Sequence, residues 1–215
     1  MALALTLATG CGTATTPTAI ACAAGAPTGR LNTGVLYQVH LDYRPYATPE
    51  ALAAEGAEAV VTGRVTGWVP GLVVEEHIPG DRTHYILMRT QVERRLKGAS
   101  DDVVHVPFYQ GPAIDDRGTP IQSQGDFERA VPAGTRVLLF LNRPQPAGTV
   151  VEAPQGLPPA HSTPPQGVVL HEVIEDPGGK AVGGRVEMFS SPGWNQPCGI
   201  DGLIDRLRAK GFTGD

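Results

Sequence analysis

Glu58-Ala59-Val60-Val61-Thr62-Gly63-Arg64-Val65-Thr66-Gly67-Trp68-Val69 is the stretch that decides the fold. Val61, Val65 and Val69 fall in one phase, and Thr62, Arg64 and Thr66 in the other. That alternation is a β-strand with one buried face. Gly63 and Gly67 interrupt the inner face. Glycine inside a strand marks a bend or a bulge, as in a tightly curved barrel.

The pattern repeats downstream. In Thr83 to Leu96, residues Ile86, Met88, Val92 and Leu96 are read as one face, and Arg89, Gln91, Glu93 and Arg95 as the other, with Lys97-Gly98 as the closing turn. Val103 to Phe108 is a third strand, and Pro107 places it at an edge, since proline cannot donate to the ladder. Thr135 to Leu141 is apolar on both faces, which predicts a central strand. Val168 to Ile174 and Arg185 to Phe189 read as a last pair, joined through Asp176-Pro177-Gly178-Gly179. Two stretches give no period: Gly111 to Gly134, long and polar, and Ala153 to Gly167, rich in proline. Loops of such length are uncommon unless functional or disordered.

Two helices frame the strands. Thr48-Pro49-Glu50 supplies a capping hydroxyl, a proline at the first helical position and an acid at the positive end of the dipole, and the helix should end near Gly56. Near the C-terminus, Ile200, Leu203, Ile204 and Leu207 keep helical spacing, while Asp201, Asp205, Arg206 and Arg208 are expected to face water. Gly211 fits a left-handed stop.

The first 29 residues carry no charged side chain. Leu5-Thr6-Leu7-Ala8-Thr9-Gly10-Cys11 is an apolar run ending in small residues and a cysteine, the order an export signal requires. It resembles a bacterial lipoprotein signal, which implies a diacylglyceryl group on Cys11. The basic start of such a signal is missing, as it would be if Met1 were internal and the true start lay upstream. The plain alternative is a disordered Ala/Thr/Gly leader with an accidental cysteine. Gly12 to Gly29 is almost wholly Gly, Ala, Thr and Pro, with too little apolar surface to offset the entropy of ordering. The chain therefore divides into an export-signal remnant (1–11), a flexible tether (12–45), a β domain (46–190) and a C-terminal helical segment (191–215). The expected location is extracytoplasmic, either lipid-anchored at the cell membrane or secreted.

Composition narrows the partners. A net charge of −5 argues against nucleic acid, whose phosphates demand a basic face. No run of about 20 apolar residues exists to span a membrane. With Cys11 lipidated, Cys22 and Cys198 either pair in an oxidising compartment or stay as two free thiols.

Ala59 to Val65, Val92-Glu93-Arg94-Arg95-Leu96-Lys97-Gly98 and Pro132-Ala133-Gly134-Thr135-Arg136-Val137-Leu138-Leu139-Phe140-Leu141 together resemble a group of exported bacterial domains, many of unknown function. Those domains are similar to the oligonucleotide/oligosaccharide-binding (OB) barrel and to tissue inhibitors of metalloproteinases. The resemblance covers about residues 50 to 190 and implies a mainly β fold, a five- to six-stranded Greek-key barrel with a short N-terminal and a C-terminal helix. The inhibitors share a Cys-x-Cys start that reaches the target's metal. Here Gly12 and Thr13 follow Cys11, so that wedge does not carry over.

The chemistry-bearing residues are sparse. None of His40, His77, His84, His105, His161 and His171 has metal-ligand spacing, so no metal or cofactor is expected. His105, out of phase with its strand's core residues, should face water. No Gly-x-Ser-x-Gly elbow or phosphate loop appears. The pairs Asp101-Asp102 and Asp115-Asp116 are candidates for acid–base work only if they converge. Trp68, Tyr85, Tyr109 and Trp194 are candidates for a contact surface, binding an envelope protein or glycan. The leading expectation is a non-catalytic binding module of the cell envelope. The alternatives are an envelope hydrolase using loop carboxylates and a protease-inhibitor-like domain.

Overall fold

The structure is a computed structural model that describes residues 29–36, 43–75, 82–115, 118–144, 149–173, 178–183, 192–195 and 198–214. The fold is mainly β, with seven antiparallel strands in one sheet. They are β1 (Ala59–Glu75), β2 (Arg82–Lys97), β3 (Val103–Tyr109), β4 (Arg136–Leu141), β5 (Thr149–Glu152), β6 (Val168–Glu172) and β7 (Lys180–Gly183). The order is β3-β2-β1-β4-β6-β7, with β5 on the far end of β1.

β1 organises the sheet because it is long enough to serve three partners. It pairs with β2 along its length, with β4 through Ala59 to Arg64, and with β5 through Val73 to Glu75. Its register against β2 slips between Thr62 and Gly63 and again between Val65 and Gly67, at the two glycines the sequence marks. A Cβ on Gly63 would collide with the Gln91 carbonyl oxygen, so only glycine lets the strands approach there. These bulges also flip the side-chain phase. Trp68, rather than Val69, turns inward, and Leu96 faces away from Ile86 and Met88. β4 is central and buried on both faces. β3 ends the sheet, as Pro107 requires.

Seven strands replace the expected five or six, and no ladder joins β3 to β7 among the described residues. The strand paired to β6 is Lys180–Gly183; the expected partner, Arg185 to Phe189, lies outside the described residues.

The central core lies on one side of the sheet. It joins Val61, Val65 and Trp68 of β1 to Ile86, Met88, Val106, Phe108, Leu139 and Leu170. Helix α2 (Gln124–Ala130) closes it, inside the stretch expected to be irregular. Its start is a capping box: the Ser123 N–H and hydroxyl both donate to Asp126 Oδ2 at 2.7 Å. Phe127 then enters the core, its ring 5.1 Å from Trp68, and the Trp68 indole donates to the Val131 carbonyl at 3.0 Å. Part of the stretch expected to be a flexible tether, residues 12–45, belongs to the fold. Leu31, Val35 and Leu36 pack into this core, and the Leu31 N–H donates to the buried Glu172 carboxylate at 2.8 Å.

A second core lies on the opposite side, over β4 and β6. Leu138, Phe140 and Val169 meet helix α1, which starts at Pro49–Ala51 and continues as a π turn over Leu52–Gly56, and helix α3 (Ile200–Ala209). Thr48 caps α1 at 3.2 Å. The α3 stripe Ile200, Leu203, Ile204 and Leu207 is buried, and Gly211 has φ +91° at its stop. Asp201 and Arg206 do not simply face water. Asp201 takes a bidentate pair from Arg136 at 2.6 and 3.0 Å, and Arg206 pairs with Glu50 at 2.7 and 2.8 Å. Both helices are thereby clamped to the sheet or to each other.

Candidate functional site

Beyond Val60 and Leu96, which the helices cover, the β1–β2–β3 ribbon carries no helix on the side away from the central core among the described residues. Leu72 and Val74 of β1, Tyr85 and Leu87 of β2 and Pro107 of β3 form an apolar floor. Pro144, Leu157, Pro158, Pro159, Ala160 and Ser162 form a roof, and between them lies a pocket of about 350 Å³. That volume suits a small apolar ligand or part of a larger one. Among the described residues the lining holds no Asp, Glu, His, Lys, Arg or Cys.

Proline explains both the roof and the hollow. Pro154, Pro158, Pro159, Pro164 and Pro165 have no N–H, so this segment cannot add to the sheet as a strand. It attaches at a few other groups. The His161 N–H donates to the His105 carbonyl at 2.7 Å, and the Asn142 N–H donates to the Ser162 carbonyl at 2.8 Å. The Ser162 hydroxyl donates to the Arg143 carbonyl at 2.7 Å. Outside the roof, the β5 residues Val150 and Val151 are exposed, and Val150 stands opposite Val74 in the ladder. Directly opposed residues share a face, so the apolar floor continues into the open at Val150.

His105 lies beneath the roof. It does not face water as its phase suggested, because the roof covers that phase: it is 8% exposed. Burial holds its imidazole below the ordinary histidine range, and Arg89, its ladder partner, and His161 push the same way. His171, 1% exposed in β6, is held low by burial and by Arg136.

The aromatic candidates separate. Trp68 and Trp194 present no contact surface: the first fills the central core, and the second is buried in the other core, its indole donating to the Tyr46 carbonyl at 2.8 Å. Tyr85 and Tyr109 are half-buried ladder partners, and Tyr85 lines the pocket. The acids do not converge either. Asp102 binds Arg95 at 2.7 Å near the end of β2, whereas Asp115 is spent on Thr119 at 2.8 and 2.9 Å, in a hairpin beside the start of β2. The span of β2 from His84, beside the hairpin, to Val92, whose N–H donates to the Asp102 carbonyl, separates them by about 25 Å. Asp116, His40, His77, Cys11 and Cys22 lie outside the described residues. Cys198 is disulfide-bonded, to a partner also outside them.

Among the described residues no three His, Cys, Asp or Glu side chains gather as a metal site. A second hollow, between Arg95 to Ser100 and Gly211 to Gly214, is half polar, but its cations are engaged: Arg95 on Asp102, and Lys97 on the Ala53 and Ala57 carbonyls at 2.6 and 2.7 Å. The roofed pocket escaped the sequence reading because its floor residues look like ordinary strand residues and its roof has no period. The visible signal was the unexplained length of the proline-rich stretch. Neither protein-family models, nor curated proteins, nor solved structures give a match to this chain.

Proposed function

We propose that this chain is a non-catalytic binding module of the bacterial cell envelope, held outside the cytoplasm by a lipid on Cys11, and that the roofed pocket is its binding site. The observation that carries the reading is the chemistry of the pocket. Catalysis by acids and bases needs ionisable groups converging in a cleft, whereas the described lining is aliphatic, with Tyr85 and Ser162 as its polar contributors. Such a site takes an apolar group: a lipid chain, an apolar side chain or a small hydrophobic molecule. The disulfide at Cys198 supports an oxidising compartment, and pairing with Cys22 would pin the tether to the C-terminal helix. No helix among the described residues is long and apolar enough to cross a membrane. For the finer fold we propose an open OB-like barrel. A bulged β1 shared by β2, β4 and β5 supports it, as does α2 between β3 and β4.

Two measurements test this. Titration with the apolar fluorophore N-phenyl-1-naphthylamine should give saturable binding, weakened about tenfold by Leu157→Gln, since a half-buried leucine contributes about 1.5 kcal/mol of apolar contact. Absence of saturable binding removes the site. Cells fed labelled palmitate should label the native chain and not Cys11→Ser, and equal labelling removes the anchor.

A further inference from the structure

The roof is attached at a place whose charge depends on pH. Its closing hydrogen bond, from the His161 N–H, falls on the carbonyl of His105, whose side chain lies under the same roof. His161 stands between Ala160 and Ser162, both pocket-lining, and Pro107 lines the floor two residues beyond His105. Among the described residues, the charged and titratable groups facing His105 are Arg89, directly opposite on β2, and His161 from the roof. Both are basic. Arg89 is held in place by Thr66, whose hydroxyl accepts from its guanidinium at 3.2 Å. With the roof closed, a charge on His105 would sit beside a fixed cation and away from water.

We propose that the roof is a latch opened by acid: with His105 neutral the roof closes over the pocket, and with His105 charged it lifts and the pocket releases what it holds. This regulation rests on the pocket being the binding site, but the latch itself can be tested with the pocket empty. Lifting the roof returns the imidazole to water and moves His161 away from it, so opening and protonation favour each other. The second attachment, Asn142 to Ser162, involves no titratable group and serves as the hinge side.

The test is amide hydrogen exchange of the full chain between pH 7.5 and 5, corrected for the intrinsic pH dependence of exchange. Opening linked to uptake of one proton makes the His161 amide exchange about tenfold faster per pH unit below about 6.5. The Leu139 and Leu170 amides, in the central core, should not respond. His105→Gln, neutral throughout, should abolish the response. A flat His161 profile, an unchanged response in His105→Gln, or equal loosening of the core amides overturns the latch. If His105→Gln does not fold, NMR titration of the His105 ring in the native chain decides: the rise in exchange must level off where the ring becomes protonated, and a rise that continues below that point overturns the proposal. N-phenyl-1-naphthylamine binding at pH 7.5 is read separately. Its absence there removes the site while leaving the exchange result standing; its presence at pH 7.5 and loss at pH 5, retained in His105→Gln, supports the latch.

Discussion

The two coverings away from the central core differ in kind. Over β4 and β6, helices α1 and α3 bury a regular apolar stripe and are clamped by Arg136–Asp201 and Arg206–Glu50. Over β1, β2 and β3, a proline-rich segment attaches through a few hydrogen bonds and leaves a cavity of about 350 Å³. A helix can interdigitate with a sheet to the density of an organic crystal because its side chains recur at fixed spacing. A segment without regular spacing, and with few N–H donors, follows the surface only loosely. The contrast separates roles: the helical cover holds the fold, and the proline cover leaves room for a ligand.

The largest expected effect falls on the helical side. Leu203 is fully buried beneath α3, so Leu203→Ala should cost about 2–5 kcal/mol, read as a shift in the denaturation midpoint at constant m-value. A cost under 1 kcal/mol would mean that α3 does not pack as described. The clamp comes next. The Arg136–Asp201 pair is bidentate and three-quarters buried, with side chains 23% and 26% exposed, so Asp201→Asn should cost about 1–2 kcal/mol, between the values for exposed and buried pairs.

Acid should act on both covers with one sign. Hydrogen bonding to Arg136 holds the Asp201 carboxyl below the ordinary carboxylate range, so its contribution is present above about pH 3.8 and is lost as pH falls through its lowered value. His105 and His171 are also held low in the folded state. The unfolded chain then binds the extra protons, so the stability they contribute is whole above about pH 6.5 and declines as pH falls below it, until the folded imidazoles protonate as well. Denaturation midpoints that rise from pH 5 to 7, and rise less in His105→Gln, would agree; a flat profile would not. The smallest effect belongs to the roof. Leu157 is half-buried against a hollow, so Leu157→Ala should cost less than about 1 kcal/mol, because little packing is lost where a cavity already exists.

Much of the fold was legible. Alternation marked β1 to β3, a run apolar on both faces marked β4, the glycines marked the bulges, and helical spacing marked the α3 stripe, each a signal local in sequence. Trp68 was misplaced because a bulge between Val65 and Gly67 reverses phase, and alternation cannot report where a register slips. α2 was hidden by its seven residues, too short for a period, although Ser123 and Asp126 spelled its capping box. The site was least legible. Leu72, Leu87 and Pro107 come together only through pairing, and the burial of His105 depends on a loop whose path no local rule fixes.

The central claim, that the proline cover leaves a hollow able to take an apolar guest while the helical cover does not, is tested most directly by methyl NMR under xenon pressure, since dry apolar cavities admit xenon. The account predicts saturable shifts confined to the methyls of Leu72, Val74, Leu87 and Leu157, with Leu138, Leu203 and Leu207 unmoved. Shifts at the α3 methyls of equal size, or none on the β1–β2–β3 side, would contradict it.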